Sequence, residues 1–150
     1  MNFAMRFEAP EAMGDGTGGV PERRDVPEAM RWDLEAIYPS FEAWERAFSD
    51  LTPKIDALAG FAGRLGEGPK KLLEYLKAEE AVSLELEKLY VYANMKSHED
   101  LRETRPMELT SRIEALSARH GVATAFFAPE VMELPEEELR RWVREEPGLK

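Results

Sequence analysis

The sequence contains no cysteine and only two histidines in its 150 residues. Without cysteine the chain cannot form disulfide bonds, bind a metal through thiolates or use a cysteine nucleophile. Hydrolytic metal sites need several histidine and carboxylate ligands around an open coordination position, so two histidines leave little material for such a site. Chemistry based on thiols is excluded, and the lack of cysteine is compatible with a reducing cytoplasm.

Basic residues are outnumbered, and long apolar runs are lacking. Thirty Asp and Glu residues against 20 Lys and Arg residues give a formal net charge of −10. A chain of this charge is repelled by nucleic acid and by anionic membranes, because its basic side chains do not cluster. No apolar run approaches the ~18 residues of a membrane span, and the N-terminus lacks the pattern of a secretory signal. We therefore expect no nucleic-acid partner, no membrane partner and a cytoplasmic location.

Residues 1–29 differ from the rest of the chain, because they contain "GDGTGG" and three prolines. Their apolar residues follow no period, which predicts a flexible leader rather than a packed element. Residues 30–150 are predicted to form one domain, since a chain of this size can bury ~70% of the surface that its unfolded form exposes. A composition of 43% hydrophobic and 33% charged residues is typical of a globular protein with a core.

The stretch "RWDLEAIYPSFEAW", residues 31–44, is crowded with aromatic side chains. It is either an aromatic binding surface or the start of the folded domain, and we favour the second interpretation. Asp33 and Ser40 are residue types that cap helices, so a short turn is predicted after the first and a helix after the second. Trp32 and Tyr38 are then predicted to pin this turn onto the fold.

A helix is predicted from Phe41 onward, because large apolar residues recur three and four positions apart. This stripe consists of Phe41, Trp44, Phe48, Leu51, Ile55 and Leu58. Pro53 lies inside the pattern and removes a backbone bond to the carbonyl of Ser49, so we expect a kink or a restart with Thr52 as cap. The glycine-rich stretch of residues 60–68 is predicted to connect this helix to the next one.

The longest helix is predicted from Pro69 to about Ser97 and is expected to be the central element. It carries a broad apolar stripe and a narrower one about a quarter-turn away. The broad stripe is Tyr75, Leu76, Val82, Leu86, Leu89, Tyr90 and Ala93, and the narrow one is Leu73, Leu84 and Val91. Two apolar faces on one helix imply neighbours on two sides.

Two further helices are predicted after the polar stretch "KSHEDLRETRP". Pro129 is expected to end the first of them, and Pro135 to begin the second. Their apolar faces are Leu109, Ile113, Leu116, His120, Ala123 and Phe127 in the first, and Leu139, Trp142 and Val143 in the second. No alternating strand pattern of useful length follows Trp32. The predicted fold class is therefore all-α, an antiparallel helical bundle with a long central helix.

His98, His120 and Glu79 are the residues that chemistry could use. "HEDLR" begins at His98 but has Arg102 where the HExxH zinc motif requires a second histidine, so His98 is interpreted as a polar loop residue. His120 and Glu79 each interrupt an apolar stripe. His120 is interpreted as a partly buried, hydrogen-bonded histidine, and Glu79 as a glutamate that reaches solvent or is paired. A ligand contact to a partner domain for His120 and a catalytic role for Glu79 are the alternatives. We assign no catalytic and no metal-binding residue, and the substrate-binding residues are unidentified.

Three stretches together resemble the N-terminal region of oligoendopeptidase F, which belongs to the thimet-oligopeptidase-like zinc metallopeptidases. They are "WDL" with "YPS" in residues 32–40, "LEKLYVYANM" in residues 86–95 and "FFAPEVMELPEEEL" in residues 126–139. The resemblance extends from about Arg31 to Lys150. None of the three stretches is a catalytic motif.

The resemblance implies a cytoplasmic zinc endopeptidase that hydrolyses short peptides in a cleft between a helical N-terminal lobe and a helical catalytic lobe. The zinc ligands and the catalytic glutamate of the family lie in the catalytic lobe, outside these 150 residues. This chain is therefore expected to bind no cofactor itself and to be inactive alone. Its expected partners are the C-terminal catalytic lobe and, in the complete enzyme, a short peptide. The alternative hypothesis is a free-standing helical module that binds a partner helix or peptide.

Overall fold

The structure, a computed structural model, describes residues 23–150. The chain divides into two units, Met1–Arg31 and Trp32–Lys150. The described part of the first unit contains two one-turn 3-10 helices, Arg23–Asp25 and Glu28–Met30. The leader predicted over residues 1–29 lies largely outside the described residues, and its flexibility stays a prediction.

Two capped elements begin the second unit. The carboxylate of Asp33 accepts a hydrogen bond of 3.2 Å from the backbone N–H three residues later and starts the one-turn 3-10 helix Leu34–Ala36. The hydroxyl of Ser40 accepts an equivalent bond of 3.2 Å and caps helix α1, Phe41–Leu58. Each side-chain oxygen satisfies a first-turn N–H that has no partner within the helix. Both predicted caps are confirmed.

Helix α1 runs through Pro53 without interruption. The hydroxyl of Thr52 donates to the carbonyl of Phe48 at 3.0 Å, within the same helix, and does not cap a new one. The predicted restart at Thr52 is therefore wrong. Leu51 and Ile55, on either side of the proline, are both buried in one core. Their packing offsets the loss of a single backbone bond, because packing stabilises most protein helices.

Helix α2, Pro69–Glu99, is the longest helix, as predicted. The connection to it contains two one-turn 3-10 helices, Ala59–Phe61 and Leu65–Glu67. Gly63 and Gly68 have φ angles of 75° and 142°, a region that glycine adopts without the steric cost of a side chain. Pro69 is the first helical residue, where its missing N–H removes no bond within the helix.

Three shorter helices follow. They are α3, Thr104–Thr124, α4, Phe127–Glu133, and α5, Glu136–Glu145. The prediction that Pro129 ends the helix that carries Leu109 and Ile113 is wrong, because this helix, α3, already ends at Thr124. Pro129 lies instead in the first turn of α4, where a backbone N–H needs no helical partner. Pro135 directly precedes α5, as predicted, and the chain closes with the one-turn 3-10 helix Pro147–Leu149.

Helix α2 packs against both α1 and α3 and runs antiparallel to each of them. The indole Nε1 of Trp44 in α1 donates to the carbonyl of Leu89 in α2 at 2.9 Å, and the hydroxyl of Thr110 in α3 donates to the carbonyl of Ala93 at 3.4 Å. None of residues 23–150 lies in a β-strand. The prediction of an all-α antiparallel bundle with a long central helix is confirmed.

The core lies along α2 and draws on the apolar faces of α1 and α3. Its largest completely buried residues are Trp44, Tyr75, Leu51, Ile55, Leu58, Leu65, Leu89, Leu109, Ile113 and Pro106. Most of these belong to the stripes read from helical periodicity, because residues three and four apart share one face of a helix. Within residues 23–150, no helix is long and apolar enough to cross a membrane.

Helices α1 and α3 run parallel and are joined by charged side chains, which we call the arginine seam. Its ion pairs are Glu42 with Arg105, Glu45 with Arg112, and Asp56 with Arg119. The guanidinium group of Arg112 makes two bonds to Glu45, of 2.6 and 2.7 Å, and lies 4.6 Å from the ring centre of Phe48. The three arginines are seven residues apart, so they line one face of α3.

The aromatic side chains that precede α1 are only partly buried. Tyr38 is buried, and its ring meets that of Tyr92 edge to face, with ring centres 5.5 Å apart. Trp32 is 59% exposed, so the prediction that it pins the turn is wrong. The apolar stripe that made Phe41 and Trp44 predictable begins only with α1, and no periodicity extends back to Trp32 to specify its direction.

Other exposed apolar residues also depart from the predicted faces. Tyr90 is 43% exposed although it was assigned to the broad stripe of α2, and Val143 is 39% exposed although it was assigned to the buried face of α5. Trp142 is buried in α5, and its neighbour Val143 points about 100° away, so a narrow contact covers only one of them. Stripes wider than the contact that covers them leave their edges in solvent.

Candidate functional site

Glu79 and His120, which the sequence singled out separately, lie together between α2 and α3. The imidazole Nε2 of His120 is 3.4 Å from the carboxylate Oε1 of Glu79. The side chains are 17% and 31% exposed, so both are largely enclosed but still reached by water. The antiparallel packing of α2 on α3 creates this pair. It confirms that His120 is partly buried and that Glu79 is paired, but the hydrogen bond predicted for His120 is not formed at its Nε2.

The pair is not arranged as a nucleophile with its base. The hydroxyl of Ser83, one turn further along α2, donates to Glu79 Oε1 at 2.6 Å. Activation of a hydroxyl requires a base that accepts its proton and is itself oriented by a third group. Here the imidazole is not the acceptor, and His120 Nε2 is buried without a hydrogen bond, because its approach to Glu79 does not have hydrogen-bond geometry. The arrangement joins two helices and has no hydroxyl activated by a histidine.

A metal does not fit this pair either. A zinc site needs at least three protein ligands, and Glu79 and His120 supply two. Within residues 23–150, no group of three or more histidine, cysteine or acidic side chains is placed to hold a metal ion. The residues that surround the pair therefore do not match the ligand set that zinc requires.

Aromatic rings enclose the same end of the bundle. The ring of Tyr75 lies 5.5 Å from that of Phe61, 5.3 Å from that of Phe126 and 5.2 Å from that of Phe127. Burial, together with the negative charges of Glu79 and Glu130, raises the pKa of Tyr75 to about 12. A phenol with this pKa stays protonated near neutral pH and is poorly suited to accept a proton.

Glu130 in α4 holds the glycine-rich connection in place. Its two carboxylate oxygens accept hydrogen bonds from the backbone N–H groups of Gly63 and Leu65. Two backbone donors of the connection are therefore satisfied by a side chain from a distant helix. Sequence reasoning missed this role, because one glutamate in so acidic a chain carries no local signal.

His98 lies in the last turn of α2 and is exposed. The prediction that it is a loop residue is wrong, because α2 continues through Glu99. Arg102, at the position where HExxH would have its second histidine, is paired with Asp100 at 2.6 Å. The hydrogen bond from this guanidinium lowers the pKa of Asp100 to about 2. The "HEDLR" stretch therefore contains an ion pair at the end of α2, and its side chains are not arranged as metal ligands.

An apolar groove of about 690 Å³ lies along the outer side of the contact between α1 and α2. We call it the α1–α2 groove. It is lined by Lys54, Ala57, Leu58, Phe61, Ala78, Ala81, Val82, Leu84, Glu85 and Lys88. Leu84, from the narrow apolar stripe of α2, is 53% exposed at its edge. The sequence predicted an apolar face here but did not predict that it would remain open.

The chain is similar to several curated oligopeptidases. It is 34% identical over 127 residues to group B oligopeptidase PepB of Streptococcus agalactiae, which is 85% of this chain and 21% of that protein. It is 32% identical over 129 residues to the plasmid oligoendopeptidase F of Lactococcus lactis, covering 85% of this chain and 22% of the relative. It is 31% identical over 131 residues to oligopeptidase PepF of Bacillus subtilis, covering 87% of this chain and 20% of the relative.

These matches identify the chain first as a relative of oligopeptidases. More particularly, it is a relative of oligoendopeptidase F over about 85% of its length, which confirms the predicted resemblance and supports its assignment to the N-terminal region. The chain spans about a fifth of the length of the curated relatives that it matches. No protein-family model and no solved structure matches the chain.

Proposed function

We propose that this chain forms the N-terminal lobe of a cytoplasmic, zinc-dependent oligoendopeptidase and supplies one wall of the cleft that admits short peptides. One observation carries the proposal: about 85% of the chain matches oligopeptidases, yet the match covers only 20% to 22% of their length. This coverage supports a role as one segment of a larger enzyme.

In this proposal the chain alone is inactive, and zinc is bound by residues outside it. "HEDLR" has Arg102 in place of the second histidine of HExxH. The other histidine, His120, meets a single carboxylate, that of Glu79. Two donors do not complete a zinc site, so no catalytic step is assigned to these residues.

A peptidase assay tests the proposal in two arms. The purified chain, supplied with zinc and quenched-fluorescent short peptides, should show no chelator-sensitive hydrolysis. In the second arm, the matching segment of the Bacillus subtilis PepF is replaced by this chain, and the chimera should retain cleavage that a version lacking the segment loses. Robust zinc-dependent cleavage by the isolated chain would overturn the first part. A folded chimera that does not cleave would overturn the second.

A second candidate function is a free-standing module that binds a partner helix or peptide. The open α1–α2 groove favours it, because apolar grooves of this kind accept amphipathic helices. The chimera discriminates between the two functions: a free-standing module would not restore cleavage when placed in the peptidase.

A further inference from the structure

The narrow apolar stripe of α2 is covered at one end and open at the other. At Leu73 the C-terminal turn Pro147–Leu149 lies so close that a Cβ atom added to Gly148 would be 2.7 Å from the leucine Cδ2. Three turns further along the same face, Leu84 is 53% exposed and borders the α1–α2 groove. The same helical face therefore changes from a packed contact to an unpartnered one.

Lysines border the open end of this face. Lys54 of α1 and Lys88 of α2 line the groove. Lys54 makes no ion pair with any residue in the range 23–150, whereas Lys88 pairs with Glu85 at 2.9 Å. Glu85 also lines the groove and pairs with Lys88, which leaves the charge of Lys54 uncompensated at the edge of an apolar floor, and a carboxylate on a partner complements this charge.

We propose that the α1–α2 groove is the docking site for an amphipathic helix with glutamate or aspartate residues beside its apolar face. Its apolar side chains pack against Leu84 and Ala81, and its carboxylates face Lys54 and Lys88. The helix comes from the part of the oligoendopeptidase outside this chain, so its source rests on the proposed function. The chemistry of the groove stands independently, because it depends on the lining residues alone.

A labelled helical peptide of about 18 residues tests the groove directly. The acidic probe has a leucine stripe at helical spacing flanked by glutamates, and the matched probe has lysines in place of these glutamates. By fluorescence anisotropy the 150-residue chain should bind the acidic probe at least ~10-fold more tightly, and added salt should reduce the difference. Equal binding of the two probes, or no binding of the acidic one, would overturn the proposal.

Variants locate the binding face. Leu84→Glu should abolish binding of the acidic probe, whereas Val122→Glu, at a site that is 80% exposed on α3, should leave binding unchanged. The double variant Lys54→Glu with Lys88→Glu should reverse the preference between the probes. Circular dichroism verifies that each variant folds. If Leu84→Glu binds as well as the original chain, the groove is not the site.

The source of the helix is tested in the Bacillus subtilis chimera described above. Because this chain has no cysteine, Leu84→Cys introduces a single thiol whose alkylation can be followed by peptide mass. Alkylation should be at least ~10-fold slower in the chimera than in the isolated chain, since burial restricts access to a thiol. Equal rates in a chimera that cleaves peptides would overturn the docking proposal and leave the proposed function intact. A folded, inactive chimera together with tight binding of the acidic probe would overturn the proposed function and leave the groove chemistry standing.

A second copy of the chain is the other candidate occupant of the groove, and measuring self-association tests for it. Light scattering should show that the chain is monomeric at the concentrations of the binding assay. A dimer that Leu84→Glu dissociates and the acidic probe does not would assign the groove to a second copy and overturn the proposal.

Discussion

Helix α1 meets its two neighbours in different ways. Along α3, the arginine seam pairs every guanidinium group that it presents with a carboxylate of α1, and Arg112 also covers the rings of Trp44 and Phe48. Along α2, the outer side of the contact is the α1–α2 groove, with an exposed Leu84 and with Lys54 in no ion pair within residues 23–150. The arginines of the seam are all paired within the chain, whereas the groove leaves an apolar side chain and a lysine exposed. Net charge alone would not reveal this difference.

The largest effect is expected beneath the arginine seam. Trp44→Ala removes a completely buried ring and the bond from its indole to the carbonyl of Leu89, so the free energy of unfolding should fall by ~3 to 5 kcal/mol. Urea denaturation followed by circular dichroism measures the loss. The matched variant Trp32→Ala, at a tryptophan that is 59% exposed, should lower it much less than Trp44→Ala does. Similar losses for both variants would contradict the burial described here.

A smaller effect is expected from the seam itself. Arg112→Lys keeps the charge but loses the two-point bond to Glu45 and the planar contact with Phe48, so stability should fall by ~0.5 to 1.5 kcal/mol. Arg46→Lys is the control on α1, because Arg46 is exposed and forms no ion pair with residues 23–150. Denaturation at low and high salt separates the ionic part. If the two variants behave alike, the seam does not stabilise the bundle.

The seam should also make stability depend on pH. Hydrogen bonding from Arg112 lowers the pKa of Glu45, so this carboxylate stabilises the fold above its unfolded pKa of about 4.3 and less as pH falls through the lowered folded value. Glu45→Gln should therefore flatten the decrease in unfolding free energy between about pH 5 and about pH 3. Glu87→Gln serves as the control, since Glu87 is exposed and in no ion pair with residues 23–150. An unchanged slope in Glu45→Gln would contradict the assignment.

The smallest effect is expected in the groove. Leu84→Ala should change the free energy of unfolding of the isolated chain by less than ~0.5 kcal/mol, because the side chain is already half in water. Leu89→Ala, in the same helix but completely buried, should cost ~2 to 5 kcal/mol. A large loss at Leu84 would show that the groove is closed in solution and would remove the contrast between the two sides of α1.

Local signals made the helices predictable. Ser40 caps α1 and Pro69 is the first residue of α2, and both act on the first turn of their helix. The prediction at Pro129 failed because it also used a local signal. A proline can end one helix or lie in the first turn of the next, and the residue type alone does not distinguish the two. Trp32 could not be placed because it precedes the first periodic stripe, so no repeat specified whether it faces the core.

The candidate site was predictable only in pieces. Glu79 and His120 were each recognisable as polar interruptions of an apolar stripe, but their approach within 3.4 Å depends on the register of α2 against α3. The bond between Arg112 and Glu45 joins residues 67 positions apart, which no helical period relates. The open groove has no local signal either, because Leu84 belongs to an apolar stripe that looks the same whether or not a neighbour covers it.

The sequence by itself determined the helices, their main apolar faces, the absence of thiol chemistry and the relationship to oligoendopeptidase F. Caps, prolines and helical spacing act within a few residues, so they can be read directly from the chain. Only the tertiary structure decided which faces close, which arginines find carboxylates and where the groove stays open. These features depend on helix registers that the packing of the whole core selects, since each register must fill the space between helices without voids or strain.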